Sequence, residues 1–489
     1  MTENPIENDS GRKVLQKTAR GIFWNFIAYG FSKAIILVTT SILARLLSKD
    51  DFGIVALAVI AINYLSVVKD LGLGIALIQR REDVNEAANT VFTLNLIFGV
   101  LLSALLIPLA PLVADYFKNP LVIPVLRWLG LTFFISAIGS VHVVWLMREL
   151  DYRRKLIPDL GSALIKGIVS IGLALSGYGV WSLVIGQLSG VVSSVLLFWI
   201  MVPWRPRFRL DSKITRSLLA FGSSIISSDI LNVTIDNLSY IIIGRLFGAV
   251  QLGVYTLAYR LPEMLLIGNL WIMASVTFPA FANIQNDADN LRRGFLGSIR
   301  LVGLIAMPIC LGLIIAAEPI ILVLFGSQWV DAIPVLRILA LYALVASIGY
   351  HVGDVYKAIG RPDILLKMTI FTLALLIIAL LIGSRHGLTG IAWAYVVAVF
   401  IERVVSLFIA VRFIKISARE ILSQLIPSIK GGLAMVVVTL GVLYMTTTMT
   451  PFVILIFLLL AGGISYLGVL WGTERENLLQ LVNIIRKTD

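Results

Sequence analysis

The chain has 489 residues, of which 58% are apolar and only 14% charged, with a net charge of +12. A soluble globule carries charge on roughly a quarter of its residues, and the apolar residues here fall in long runs such as Ile35–Leu47, Thr93–Leu112 and Phe452–Leu470. That composition excludes a soluble enzyme, and the placement of the basic residues between apolar runs assigns the charge to membrane topology and anionic lipid headgroups, not to nucleic acid.

Residues 1–20 are polar, mix both charge signs and hold no apolar core before Gly21, which reads as a cytoplasmic N-terminal segment and not a cleaved signal peptide. A bilayer core of about 30 Å takes about 20 helical residues, and a helix satisfies its own backbone within lipid. Spans are expected near 22–46, 53–68, 89–113, 122–146, 157–176 and 179–201, giving a six-helix bundle over 21–202. A basic inter-lobe linker, 203–216, follows with Trp204-Arg-Pro206. Spans near 217–246, 252–276, 296–316, 332–355, 365–383 and 388–412 make a second bundle over 217–414. Two more, 427–447 and 452–471, occupy 415–473 ahead of a cytoplasmic tail, 474–489.

The expected fold class is therefore an all-α polytopic membrane protein with 14 transmembrane helices. Inward segments carry Arg12, Lys13, Lys17 and Arg20, then Arg148, Arg153, Arg154 and Lys155, then Arg205, Arg207, Arg209, Lys213 and Arg216. Outward loops carry Lys49, Lys118 and Arg385. This bias puts both termini in the cytoplasm of a multi-pass inner (plasma) membrane protein.

The chain repeats itself. Residues 42–58 align with 242–258, matching Arg45 to Arg245, Gly53 to Gly253 and Leu57-Ala58 to Leu257-Ala258. Ile123-Pro-Val-Leu-Arg-Trp-Leu129 likewise matches Ile333-Pro-Val-Leu-Arg-Ile-Leu339. Each half begins on the cytoplasmic side, so the repeats are parallel, and such transporters place substrate in a central cavity between halves that rock against each other.

The same segments carry a family likeness. Leu43–Leu57, Asp70–Arg80, Asp236-Asn237 with Gly244-Arg245, Leu252–Arg260, Phe278-Pro-Ala-Phe281 and Ile333–Arg337 resemble Wzx-type polysaccharide exporters, nearest the colanic-acid-exporter branch, over about residues 15–415. These share a superfamily with MATE drug exporters and the lipid II flippase. The resemblance implies a V-shaped pair of bundles, a polyprenyl-pyrophosphate-linked oligosaccharide as substrate, no cofactor, and a polysaccharide polymerase or export machinery as a possible partner.

An ionised side chain in the bilayer centre is costly, which makes each one a functional candidate. Lys33 in span 1 and Lys166 in span 5 would bind a diphosphate, or each would pair with a carboxylate. Span 7 carries Ser228, Asp229, Asn232, Asp236 and Asn237, with 229, 232 and 236 on one face. Asp229 and Asp236 would bind H⁺ or Na⁺ as the coupling ion, joined by Glu402, or else neutralise lysines. Arg45, Arg127, Arg245 and Arg337 sit near outer span ends, where they cap carbonyls or snorkel, while Arg45 and Arg245 are also gate and substrate candidates. Arg260 is a substrate candidate expected to pair with Glu263, and Glu402-Arg403 is alternatively a satisfied local charge set. His142 and His351 are expected to pack or hydrogen-bond. Tyr255, Tyr259, Trp271, Trp145 and Trp181 would stack on sugar or sit in interfacial belts.

No Walker A, HExxH, CxxC or GxSxG sequence appears, and Asp287-Ala-Asp289 reads as a helix cap. Of the function classes, a lipid-linked oligosaccharide flippase leads and a drug-cation antiporter of the same fold is the alternative. A polymerase or ligase would need a sizeable outer loop that is lacking, so the chain is not expected to be an enzyme.

Overall fold

A computed structural model describes residues 30–70 and 72–487 as helices joined by short turns, with no strand among the described residues. The expected cytoplasmic segment 1–20 and the start of the first expected span lie outside them, as does the side chain of Ser228. In order the elements are α1 (30–46), α2 (Lys49–Asp70), α3 (Leu73–Gln79), α4 (Val84–Phe117), α5 (Val122–Arg148), α6 (Tyr152–Leu175), α7 (Val180–Met201) and α8 (Ser212–Pro262). There follow α9 (Gly268–Asn283), α10 (Ala288–Ile315), α11 (Ala317–Leu324), α12 (Ala332–Ser347), α13 (Val352–Ala358), α14 (Pro362–Gly383), α15 (Gly387–Ile414), α16 (Ala418–Met445) and α17 (Pro451–Lys487). The chain divides into two compact units, residues 1–253 and 254–489.

Among the described residues eleven helical stretches are long and apolar enough to cross a membrane. Two of these, Asp229–Asn283 and Pro362–Ile414, contain 55 and 53 residues, which at 1.5 Å per residue is roughly 80 Å. That is more than twice a hydrocarbon core of about 30 Å. Each is broken where the expected spans divide: at Gly248, whose φ of 79° only glycine adopts readily, and at the 3₁₀ turn Ser384–His386.

One expected span departs from expectation. The stretch 332–355 was expected as one helix but divides into α12 and α13, because Ile348 turns extended and Gly349 takes a φ of 68°. A Cβ on Gly349 would come within 2.8 Å of Leu407 Cδ2, so the break is also closely packed. A π turn, Glu263–Ile267, follows Pro262, whose missing N–H interrupts the ladder.

Several helix starts carry side-chain caps. Asp287 accepts from the Asn290 backbone N–H at 3.0 Å, as the cap reading of Asp287-Ala-Asp289 requires. That bond, with a second from the Asn290 side chain, holds the exposed Asp287 carboxyl below its usual range. Ser417 and Glu420 form a reciprocal capping box at α16.

In the first unit α4 lies along α5, α6 along α7, and α5 bridges to α2 and α7. In the second, α10 packs on α12 and α16, α12 and α14 on α15, and α16 on α17. Lipid offers no hydrophobic drive between helices, so close approach of small residues does much of the work. Gly99, for example, lies so near α5 that a Cβ there would meet the Phe133 carbonyl at 2.8 Å.

Candidate functional site

Lys33, Lys69 and Lys166 lie on α1, α2 and α6. Gly190 of α7 lets that helix approach α6 so closely that a Cβ on it would meet Lys166 Cβ at 3.0 Å. The half-buried Lys166 ammonium then donates to the side-chain oxygen of Gln187 on α7. Beside it, a Cβ on Gly167 would meet Thr39 Oγ1 of α1 at 2.6 Å. Lys33, also half-buried, lies six residues from Thr39, about 9 Å along α1. A third lysine, Lys69 on α2, donates to Ser136 Oγ of α5 at 3.2 Å.

Helix α8 runs beside α2 through its polar residues. Asn63 of α2 donates to Asn237 at 3.0 Å, and Tyr64 donates to Thr234 at 3.3 Å. Asn237 is buried in this seam, while Asp229, Asn232 and Asp236 are all exposed, so the expected stripe lines an open face of α8.

Further along, the two copies of the internal repeat touch each other reciprocally. A Cβ on Gly53 would overlap the Ala249 carbonyl, and a Cβ on Gly253 would overlap the Lys49 carbonyl and approach Gly53 N at 3.2 Å. Positions 49 and 53 thus meet 253 and 249 respectively, a reciprocal contact between the two matching segments. No side chain larger than hydrogen fits at either glycine.

The outer arginines divide. Arg127 of α5 donates twice to the Ile107 carbonyl, at 3.2 and 3.3 Å. Ile107 precedes Pro111 by four residues, so its helical donor is missing and Arg127 supplies one. Arg245 donates to the Tyr116 carbonyl and lies 5.2 Å from the Tyr116 ring centroid, tying α8 to the end of α4. Arg45 and Arg337 are exposed, and Arg260 is half-buried near the end of α8.

In the second unit charges meet opposite charges. Arg300 of α10 pairs with Glu474, which is only 5% exposed at the kink of α17. Glu402, buried on α15, lies 3.3 Å from Arg403 Nε, the local set anticipated above. His351 Nδ1 lies 3.0 Å from Asp354.

Of the aromatic candidates, Tyr255 is 1% exposed and is withdrawn as a sugar platform, since its ring has no free face. Tyr259 packs 6.1 Å from Tyr342, Trp181 meets Trp128 edge-on at 6.2 Å, and Trp145 stacks on Trp204 at 6.0 Å. Trp271 is 73% exposed, as an interfacial ring would be. His142 packs against Trp199 at 4.9 Å, in keeping with the packing reading. Lys69, Gln187 and Asn63 were not singled out from sequence. Lys69 fell just beyond the expected end of its span, and neutral amides carry no signal of which face they occupy.

Comparison with known proteins adds an independent line. Polysaccharide biosynthesis proteins, as a family, match residues 42–334. The lipopolysaccharide biosynthesis protein WzxC of Escherichia coli (strain K12) is 27% identical over 400 residues, covering 81% of each chain. The teichuronic acid biosynthesis protein TuaB of Bacillus subtilis (strain 168) is 26% identical over 463 residues, 94% of this chain and 96% of its own. Among solved structures, lipid II flippase MurJ in an inward closed conformation superposes with a TM-score of 0.71 at 17% identity, covering 94% of this chain and all of that one. At that identity the likeness shows the fold.

Proposed function

The chain belongs to the family of polysaccharide biosynthesis proteins, and from that premise we propose that it flips polyprenyl-pyrophosphate-linked oligosaccharide units from the cytoplasmic to the outer leaflet. The relatives that share most of its length are named for lipopolysaccharide and teichuronic acid biosynthesis, and its fold is shared with a lipid flippase. The observation that carries the reading is Lys166, an ammonium group inside a membrane span held by the neutral Gln187. That bond orients the amine, which suits a site that must take up a diphosphate in a dehydrated setting. Lys33 and Lys69 extend the cationic lining, and Arg45, Arg245 and Arg260 stand further out along the pathway.

Twelve of the 14 spans are arranged as bundles 21–202 and 217–414 and the last two follow in 415–473, with both termini in the cytoplasm, and transport proceeds by alternating access. The close packing at Gly53 and Gly253 is a contact that must part for the sugar to leave. Asp229 and Asp236, on the open face of α8, and Glu402 bind the coupling ion, H⁺ or Na⁺. The polyprenyl tail stays in lipid throughout.

The test is mass spectrometry of polyprenyl-linked glycans in cells with and without the protein. Completed repeat units should accumulate on the cytoplasmic leaflet in its absence and clear on re-expression. No accumulation, with altered sensitivity to cationic drugs, would overturn the flippase and favour a drug antiporter.

A further inference from the structure

His351 sits where the expected tenth span is interrupted. The residues Ile348–His351 leave the helix between α12 and α13, and Gly349 holds a φ of 68°. His351 is 2% exposed, and its Nδ1 lies 3.0 Å from Asp354 Oδ2. The other ring nitrogen, Nε2, is buried and makes no hydrogen bond. The second carboxylate oxygen of Asp354 lies 3.5 Å from Lys357 Nζ, whose side chain is 47% exposed. Imidazole, carboxylate and ammonium thus form a short chain from a sealed interior to the accessible end of α13.

We infer that His351 and Asp354 form a proton-binding site at this break, with Nε2 as the atom that takes the proton. The neutral imidazole donates from Nδ1 to the Asp354 carboxylate, which fixes the tautomer and leaves the Nε2 lone pair open. Uptake forms one N–H bond at Nε2 and breaks none in the protein, and the imidazolium is then stabilised by the same carboxylate. Lys357 already compensates Asp354, so protonation leaves the trio with a net charge of +1 inside a packed unit. That charge appears at a helix break, beside Gly349 and its φ of 68°.

The surrounding elements leave this charge otherwise uncompensated by acids beside it on α13's neighbours. Helix α9 contains no charged residue. On α14, Asp363 is engaged at its start by Arg361 at 2.8 Å and by Lys367 at 3.9 Å. On α15, Glu402 is engaged by Arg403, one turn from Ser406, whose carbonyl accepts from Tyr356 at 2.7 Å. Arg412 lies near the far end of α15, over the Phe408 ring.

The site deepens the ion-coupling part of the proposed function by naming the proton, and rests on that reading only for its consequence in transport. The chain has three histidines, so imidazole NMR of the full chain in nanodiscs resolves them one by one, with H142Q and H386Q assigning two by elimination. The signal that remains, that of His351, should move with pH between its neutral and charged positions while the protein stays folded. A His351 signal that stays fixed throughout the folded range would overturn the site, whatever the cargo proves to be. In cells, H351Q should flatten the pH dependence of glycan clearance. A wild-type pH profile in H351Q, with the imidazole still titrating in the parent, would remove the proton from coupling while leaving the flippase reading intact.

Discussion

The two units of the chain hold their intramembrane charges by different means. In residues 1–253, Lys166 is bound by an amide and Lys69 by a hydroxyl. In residues 254–489, Arg300 is bound by Glu474, Arg403 by Glu402, and Asp354 by both His351 and Lys357. An opposite charge offsets the cost of burial and serves the fold. A hydrogen bond to a neutral group fixes the direction in which a charge points. We therefore take Lys166 and Lys69 as the candidates for cargo, and the pairs of the second unit as holding shape.

That contrast is broken or sharpened first at Arg300. Arg300→Ala strands the buried carboxylate of Glu474 at the kink of α17, and removing one member of a buried pair costs about 3 kcal/mol. Thermal unfolding in detergent should show a large loss, with whatever folds still selecting the same glycan. An unchanged unfolding temperature would mean that pairing in the second unit is incidental.

The next effect belongs to the glycine crossing of the first unit. Gly53→Leu forces a side chain against the Ala249 carbonyl, an overpacking of about 1–3 kcal/mol. The penalty falls on one conformation only, so accessibility should change more than stability. Thr234→Cys, placed beside Tyr64, should react faster with a membrane-impermeant thiol reagent applied from outside when Gly53 is Leu. The native Cys310 is fully buried and silent. Equal reaction rates would show that the crossing does not open.

Lys166→Met should lower glycan clearance by about tenfold, equivalent to about 1.4 kcal/mol, with the unfolding temperature held. Lys166→Arg should restore part of the rate, since a guanidinium also binds diphosphate. A loss of folded protein in place of a loss of rate would move Lys166 to the structural side and erase the difference between the units. Smaller again is Arg127→Ala, which returns the Ile107 carbonyl to its unsatisfied state opposite Pro111. It should cost about 1 kcal/mol of stability without changing transport.

The likeness of residues 42–58 to 242–258 was legible because it rests on identities at fixed spacing, and Gly53 and Gly253 stood out on that ground. Capping at Asp287 was legible for the same reason, as a local pattern. Facing was not. Helix α15 is apolar on every side, so no stripe says which way Glu402 turns, and the same uniformity hid the burial of Tyr255. The break after Ser347 was hidden too, because glycine is frequent in membrane helices and Gly349 therefore carries no signal by itself. Gln187 and Asn63 are neutral and acquire meaning only through their partners across a helix pair, which no single-helix pattern contains.

The smallest expected effect is a control on the whole comparison, because it lies in water. Asp287 is an exposed cap whose carboxylate accepts from the Asn290 backbone N–H, and that bond holds its proton affinity down. A carboxyl so depressed in the folded state stabilises the fold above its unfolded titration range, and loses that contribution as pH falls through the folded one. Asp287→Ala should therefore lower the unfolding temperature slightly at neutral pH, and the gap from the parent should close in acid. A gap independent of pH would mean that Asp287 acts by packing alone, and that its charge contributes nothing even where water, not lipid, surrounds it.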